Sequence, residues 1–409
     1  MIKKASSNYK WYILSLGAAT HIVIAGMPYF CMPVLFKEIS DDLGLSLVQI
    51  GMVWGIAGLP GLFAAFFVGM LGDRFGTKKT LFVSCLLNGV TSALRGAAFG
   101  YNSLLVFTFL FGVAAVPFSL MVHRSSGEWF SGKQLGMANG ILAMGMGVGN
   151  TLGSMFSATV FSPALGGWRH VMFAYGAVAI LFSLLWWKTR NPDLVQEGNT
   201  VSMTRQSFMQ SIKKVIRLKS VWVLSVAFMF FSGCYGGVIG YLPLYLRDIG
   251  WSSVRADGAL AALTGASVIG VVPLSFLSDR FVSRKRIVLV AIIVYMVSVG
   301  LLSVFGNAVV YLLVILAGLM QEGLWAILIT IVMESEGVGR ELSGTALGLA
   351  MTLASLGGFF APPLGNRLAQ INPSYAFLFW AALALLSIIL IIFVKETGWK
   401  RAERRKVSS

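Results

Sequence analysis

The residues with the greatest chemical scope are polar groups set deep in apolar sequence. Glu322 is the clearest, lying far inside the run from Tyr311 to Met333. An ionised carboxylate there costs several kcal/mol, so it is expected to be protonated, paired or facing water. Gln321 precedes it and Trp325 follows within about a turn. His21 lies in the first apolar run, Asn150 in the fifth and Tyr235 in the seventh. An imidazole and a carboxyl can exchange protons, an amide and a phenol can orient a polar solute, and an indole can stack on one. Each also has a plain structural role to weigh. Glu322 could be a neutral hydrogen-bond partner, His21 a packing histidine, and Tyr235 and Trp325 fillers between helices.

The elements that must position these groups are membrane helices. The chain is 57% hydrophobic and only 12% charged, about half the charged fraction of an ordinary soluble domain. Apolar runs of about 20 residues favour helices over the shorter alternating strands of a barrel. Twelve spans are expected: 11–36, 46–70, 78–99, 103–124, 135–161, 169–188, 220–246, 255–278, 285–305, 308–333, 342–370 and 373–394. Glu322 is then about fourteen residues into its span, roughly 21 Å along the axis and near the bilayer midplane. His21, Asn150 and Tyr235 fall at comparable depth.

The net charge of +16 is distributed as a topology signal and not as a nucleic-acid surface. With the N-terminus inside, roughly 26 Lys and Arg fall on the cytoplasmic side and about 6 on the outer side. Both termini are thus expected in the cytoplasm, with the protein multi-pass in the cell membrane. Cys31, Cys85 and Cys234 lie in apolar runs without metal-type spacing and imply neither a disulfide framework nor a metal site. No nucleotide-binding loop or nucleophile constellation stands out, no cofactor is implied, and an enzyme is not expected. Residues 189–219 divide the chain into halves, 1–188 and 220–409. Within the divide Phe208, Ile212 and Val215 recur at helical spacing while Lys213, Lys214 and Arg217 point elsewhere, a basic amphipathic helix suited to a membrane surface.

Between the second and third spans stands a charged loop, Gly69-Met-Leu-Gly-Asp73-Arg74-Phe-Gly76-Thr-Lys78-Lys79. Asp73 is the single acid beside Arg74, Lys78 and Lys79. About two hundred residues later Ser275-Phe-Leu-Ser-Asp279-Arg280-Phe-Val-Ser-Arg284-Lys285 repeats the pattern at the matching place in the second half. This pair of loops resembles the signature of the major facilitator superfamily. The resemblance implies two six-helix bundles that alternate access to a midplane site. It also implies that the loop residues Gly69, Asp73, Arg74, Gly76, Lys78, Lys79, Asp279 and Arg280 act as a cytoplasmic latch. Spans one, four, seven and ten would line the cavity, with two, five, eight and eleven beside them.

Other stretches narrow the branch. Leu104-Leu-Val-Phe-Thr108-Phe-Leu-Phe-Gly112 puts threonine where many proton-coupled members carry arginine. Span five is glycine-rich, with Gly136, Gly140, Gly145, Gly147, Gly149 and Gly153, small residues that suit close helix packing, but Ser154 replaces the proline of the antiporter signature. Both departures count against drug export. The run His123-Arg124-Ser-Ser-Gly-Glu128-Trp129-Phe130 is similar to organic-anion branches. Arg95, near the outer end of span three, is expected to reach the interface, which leaves no buried arginine for an anion. The expectation is a monomeric secondary transporter of a small organic anion, a carboxylate, coupled to protons through Glu322 with help from His21. The alternatives are proton-coupled efflux of lipophilic drugs or cations, and a transport-inactive sensor or scaffold of the same fold.

Overall fold

The computed structural model describes residues 7–61, 75–131, 133–190, 205–280, 283–304 and 309–396. Among them every regular element is helical. Eight helices are long and apolar enough to cross a membrane, from Asn8–Leu43 to Pro373–Phe393. The predicted spans three, five and nine also appear, as Thr77–Gly96, Lys133–Phe156 and Arg284–Leu301, and span two is described over Leu47–Ile56. The basic segment between the halves forms the helix Arg205–Ile216, with Val215 buried and Lys213 and Lys214 exposed.

The helices group into two compact units. The first comprises Met1–Glu197 with Leu242–Ala261, and the second Gly198–Tyr241 with Ala262–Ser409. The facing ends of spans seven and eight therefore belong with the first unit, although the rest of both helices belongs to the second.

In the first unit, span one ends where Gly44 takes φ +63°, a left-handed conformation that glycine adopts without steric penalty. The amide of Leu45 then closes on the Ser40 carbonyl at 3.0 Å. Ser46 opens the next helix through a reciprocal cap with Gln49. Span one is α-helical except for a π-helical turn over His21–Gly26. Span five packs directly on this stretch. A Cβ at Gly149 would stand 2.6 Å from the Ile22 carbonyl oxygen, and one at Gly145 or Gly153 would meet Ala18 or Met27 almost as closely. Of the glycines read in span five, Gly145, Gly149 and Gly153 thus make backbone-to-backbone contact, whereas Gly136 and Gly140 have open space beside them.

The second unit packs its counterpart spans in the same manner. A Cβ at Gly357 in span eleven would come within 1.9 Å of the Met229 carbonyl oxygen in span seven. Trp380 of span twelve lies over Gly237 and Gly365, and its indole N–H donates to the Ala361 carbonyl at 3.2 Å. The three cysteines are buried and unpaired in disulfides.

Candidate functional site

His21 occupies the first position of the π-helical turn and is 1% exposed. Its Nδ1 lies 2.9 Å from the Leu142 carbonyl of span five. A carbonyl only accepts, so Nδ1 carries the hydrogen and Nε2 holds the lone pair in the neutral ring. That Nε2 is buried without a partner. The ring meets Phe118 edge-on at 5.6 Å and His123 at 5.3 Å between centroids, both on span four. His123 in turn places its Nδ1 3.1 Å from Asn139 Oδ1. Sequence reasoning missed this partner, because histidines about a hundred residues apart show no mutual periodicity.

Asn150 lies on the same span-one to span-five contact, where a Cβ at Gly26 would meet its backbone amide at 2.7 Å. Its side-chain Oδ1 is buried and unpartnered. No hydrogen bond joins it to His21 among the described residues.

Arg95 corrects an expectation. Instead of reaching the interface it turns inward and is 1% exposed. Its guanidinium carbon stands 3.7 Å from the centre of the Phe111 ring, and Nη2 donates to the Pro28 carbonyl at 3.1 Å and to Ser92 Oγ at 3.2 Å. A desolvated stack of this kind is worth about 2 kcal/mol. Nε remains unpartnered, and no carboxylate pairs with the guanidinium among the described residues. The direction has a physical reason. Asn88, Ser92 and Arg95 are spaced i, i+4, i+7, all buried, so span three turns a polar stripe toward its neighbours. That spacing was the available signal. Thr108, at the position where the resembled members carry arginine, is buried with its hydroxyl unpartnered.

The remaining candidates form a second group, in the other unit. Gln321 is 1% exposed and its amide donates to Glu322 Oε1 at 3.4 Å. Glu322 is half-buried. Trp325 anchors an aromatic cluster, with ring centroids 4.4 Å from Phe228, 6.4 Å from Phe231 and 6.4 Å from Tyr235. Tyr235 and Trp325 are therefore neighbours, and Gln321 and Glu322 are bonded, whereas His21 and Asn150 belong to the first unit.

Of the charged loop, Gly69, Asp73 and Arg74 lie outside the described residues. Gly76 takes φ +78° and opens the helix Thr77–Gly96. Lys78 stands 5.8 Å over the Trp187 ring and Lys79 is exposed. Asp279 and Arg280 end the helix Ser253–Arg280, and their side chains lie outside the described residues.

The family model of the Major Facilitator Superfamily matches residues 19–362 and 258–408. The chain is 28% identical over 359 residues to a probable nitrate/nitrite antiporter, NarK1, of Thermus thermophilus, covering 81% of this chain and 79% of that protein. It is 25% identical to the hexuronate transporter of Bacillus subtilis (89% and 90% covered) and 22% identical to the sialic acid transporter NanX of Escherichia coli (90% and 90%). A crystal structure of a bacterial homologue of the human lysosomal transporter Spinster superposes with a TM-score of 0.77 at 17% identity, over 95% of this chain and 97% of that one. The nucleoside transporter NupG also gives 0.77, at 11% identity, over 94% and 98%.

Proposed function

The chain belongs to the major facilitator superfamily, and from that premise we propose that it carries a small organic anion, a carboxylate, across the membrane by proton-coupled alternating access. It is a multi-pass membrane transporter and not an enzyme. The observation that carries the anion reading is Arg95. A guanidinium buried with no carboxylate partner among the described residues puts positive charge beside spans one and four. Buried charges are costly unless something compensates them, and an anionic substrate is one way to do so. Relatives named for nitrate or nitrite, hexuronate and sialic acid support the same sign of charge.

Proton coupling is assigned to Glu322, whose half-buried carboxyl has one weak hydrogen bond and can hold or release a proton as its surroundings change. The loop from Gly69 to Lys79 and its echo at Asp279 and Arg280 are assigned the latch role that the family resemblance implies. A second reading, proton-coupled efflux of lipophilic cations, has one specific feature in its favour. Glu322 stands three residues from Trp325, which clusters with Tyr235 and Phe228 as an acid-and-aromatic lining for a cation would.

A thermal-shift screen of the purified full-length protein separates the readings. The probes are D-glucuronate, nitrate and tetraphenylphosphonium. A ligand at about a hundred times its Kd stabilises by roughly 2.7 kcal/mol. Stabilisation by D-glucuronate is expected, and nitrate alone would narrow the class to inorganic oxyanions. Stabilisation by tetraphenylphosphonium only would overturn the anion reading.

A further inference from the structure

We infer that His21 and His123 form a shared proton-binding site, in which one proton resides on one or the other of two neighbouring imidazoles inside the first unit. Its use in transport rests on the proton coupling proposed above, but the site itself stands on geometry. Each ring has its Nδ1 already committed, His21 to the Leu142 carbonyl at 2.9 Å and His123 to Asn139 at 3.1 Å. Each can therefore gain or lose a proton only at Nε2. The rings are 5.3 Å apart between centroids, inclined at 55°. The Nε2 of His21 is buried with no partner, although a lone pair there would ordinarily be satisfied.

The surroundings leave His123 as the group that can deliver or accept this proton. From span four Phe118 faces His21 edge-on, and beyond His123 that helix carries Arg124 and Glu128, which are 3.6 Å apart, while from span three the buried Arg95 reaches span one at the Pro28 carbonyl. The Thr77 hydroxyl also donates to Glu128. Span five contributes the neutral Leu142 carbonyl and Asn139. From span six Trp186 donates its indole N–H to Thr20 at 3.1 Å. Lys10, lower on span one, is held by Gln134 at 2.9 Å. His123 is thus the titratable side chain whose ring stands against that of His21.

The two rings also differ in access. His21 is fully enclosed, whereas His123 is half-buried and two turns closer to the end of its helix. A proton taken up at His123 Nε2 makes that ring an imidazolium. Transfer to the lone pair on His21 Nε2 returns His123 to neutrality and leaves the charge on His21. The reverse transfer empties the site. The π-helical turn beginning at His21 supplies the irregular backbone that fixes its ring against span five. Such turns are often retained where a side chain must be placed for function.

The test uses full-length protein labelled with [15N]histidine. The chain has three histidines, and the third, His170, is exposed and serves as an internal reference. His21 is expected in the Nδ1–H tautomer. Its signals and those of His123 are expected to move together over one midpoint, with one proton gained by the pair. In His123→Gln the His21 signals should no longer move over that shared midpoint. Separate midpoints in the wild-type protein, with each ring gaining its own proton, would overturn the shared site without recourse to any variant. A second arm measures D-glucuronate uptake driven by a pH gradient in proteoliposomes. Full gradient-driven uptake by His123→Gln would remove the pair from the coupling mechanism. No gradient dependence in the wild type would instead sink the coupling reading, leaving the shared proton to be judged by its titration.

Discussion

In the first unit the deep polar groups on spans one, three, four and five are basic or neutral, namely His21, His123, Arg95, Asn88, Thr108 and Asn150, while the unit's buried acid Asp257 is paired with Arg247. In the second unit the deep ionisable group singled out is an acid, Glu322, beside an indole and its aromatic neighbours. Yet both units close their counterpart helices in the same way, by glycines that bring backbone onto backbone, Gly149 on Ile22 and Gly357 on Met229. The comparison teaches that packing and chemistry are separable here. The small residues preserve a common scaffold, and the charged residues break its internal symmetry. On the proposed function, the substrate's charge at Arg95 and the coupling proton at Glu322 fall on different helices.

The largest expected effects come from breaking the shared scaffold. Gly357→Ala puts a methyl group where the Met229 carbonyl oxygen stands, and Gly149→Ala does the same at Ile22. Neither neighbour can retreat without moving its helix. Each variant should lose about 3 kcal/mol or more, read as a thermal shift and as loss of monodisperse protein on size exclusion. Gly358→Ala, the very next residue, has its nearest neighbour at 3.5 Å and should change stability by less than about 0.5 kcal/mol. Equal losses at 357 and 358 would mean that general helix propensity, and not close approach, is being measured.

How much of this was readable beforehand follows from what each feature depends on. The spans were legible because they depend on local hydropathy, although the first runs on to Leu43 and the fourth to Trp129, beyond the ends expected at 36 and 124. Glu322 was legible because a carboxyl in an apolar run stands out alone. The direction of Arg95 was not, since the end of span three is compatible with either rim or interior. Only the phase of the helix against its neighbours decides it, and the stripe through Asn88 and Ser92 carried that phase. The pairing of His21 with His123 depends on how spans one and four meet, which no local pattern encodes. The π-helical turn at His21–Gly26 likewise has no evident mark in the sequence.

An intermediate effect is expected from exchanging the charged groups that distinguish the units. Arg95→Gln should weaken D-glucuronate binding about tenfold to a hundredfold, because a charge-assisted contact or a field is lost. Glu322→Gln should leave binding within about threefold and instead abolish accumulation driven by a pH gradient, while exchange across the membrane continues. The measurements are equilibrium binding, gradient-driven uptake and counterflow in proteoliposomes. The opposite pattern, with binding lost on Glu322→Gln and retained on Arg95→Gln, would reverse the assignment of substrate and proton to the two units. It would also favour cation efflux. Loss of folded protein in Arg95→Gln, with Arg95→Lys restoring stability but not binding, would still separate its packing role on Phe111 from its charge.

The smallest expected effect concerns the aromatic cluster beside Glu322. Trp325 touches Phe228 and meets Tyr235 nearly perpendicular, at 87° and 6.4 Å. An edge-to-face pair of this kind is worth about 0.5–1.5 kcal/mol beyond the area it buries. If the cluster only packs the second unit, Tyr235→Phe keeps the ring and should alter neither stability nor transport. If the phenol orients the solute, the same change removes one hydroxyl hydrogen bond and should weaken apparent affinity about two- to tenfold at unchanged stability, the equivalent of about 0.5–1.5 kcal/mol. A double-mutant cycle with Trp325→Phe then locates the effect. Coupling in stability alone assigns both rings to the core of the unit, whereas coupling in apparent affinity assigns them to the solute's path. The anion reading expects the first result, because Arg95 and not this cluster attracts the substrate. Affinity coupling for tetraphenylphosphonium would give the acid-and-aromatic group of the second unit the substrate role instead.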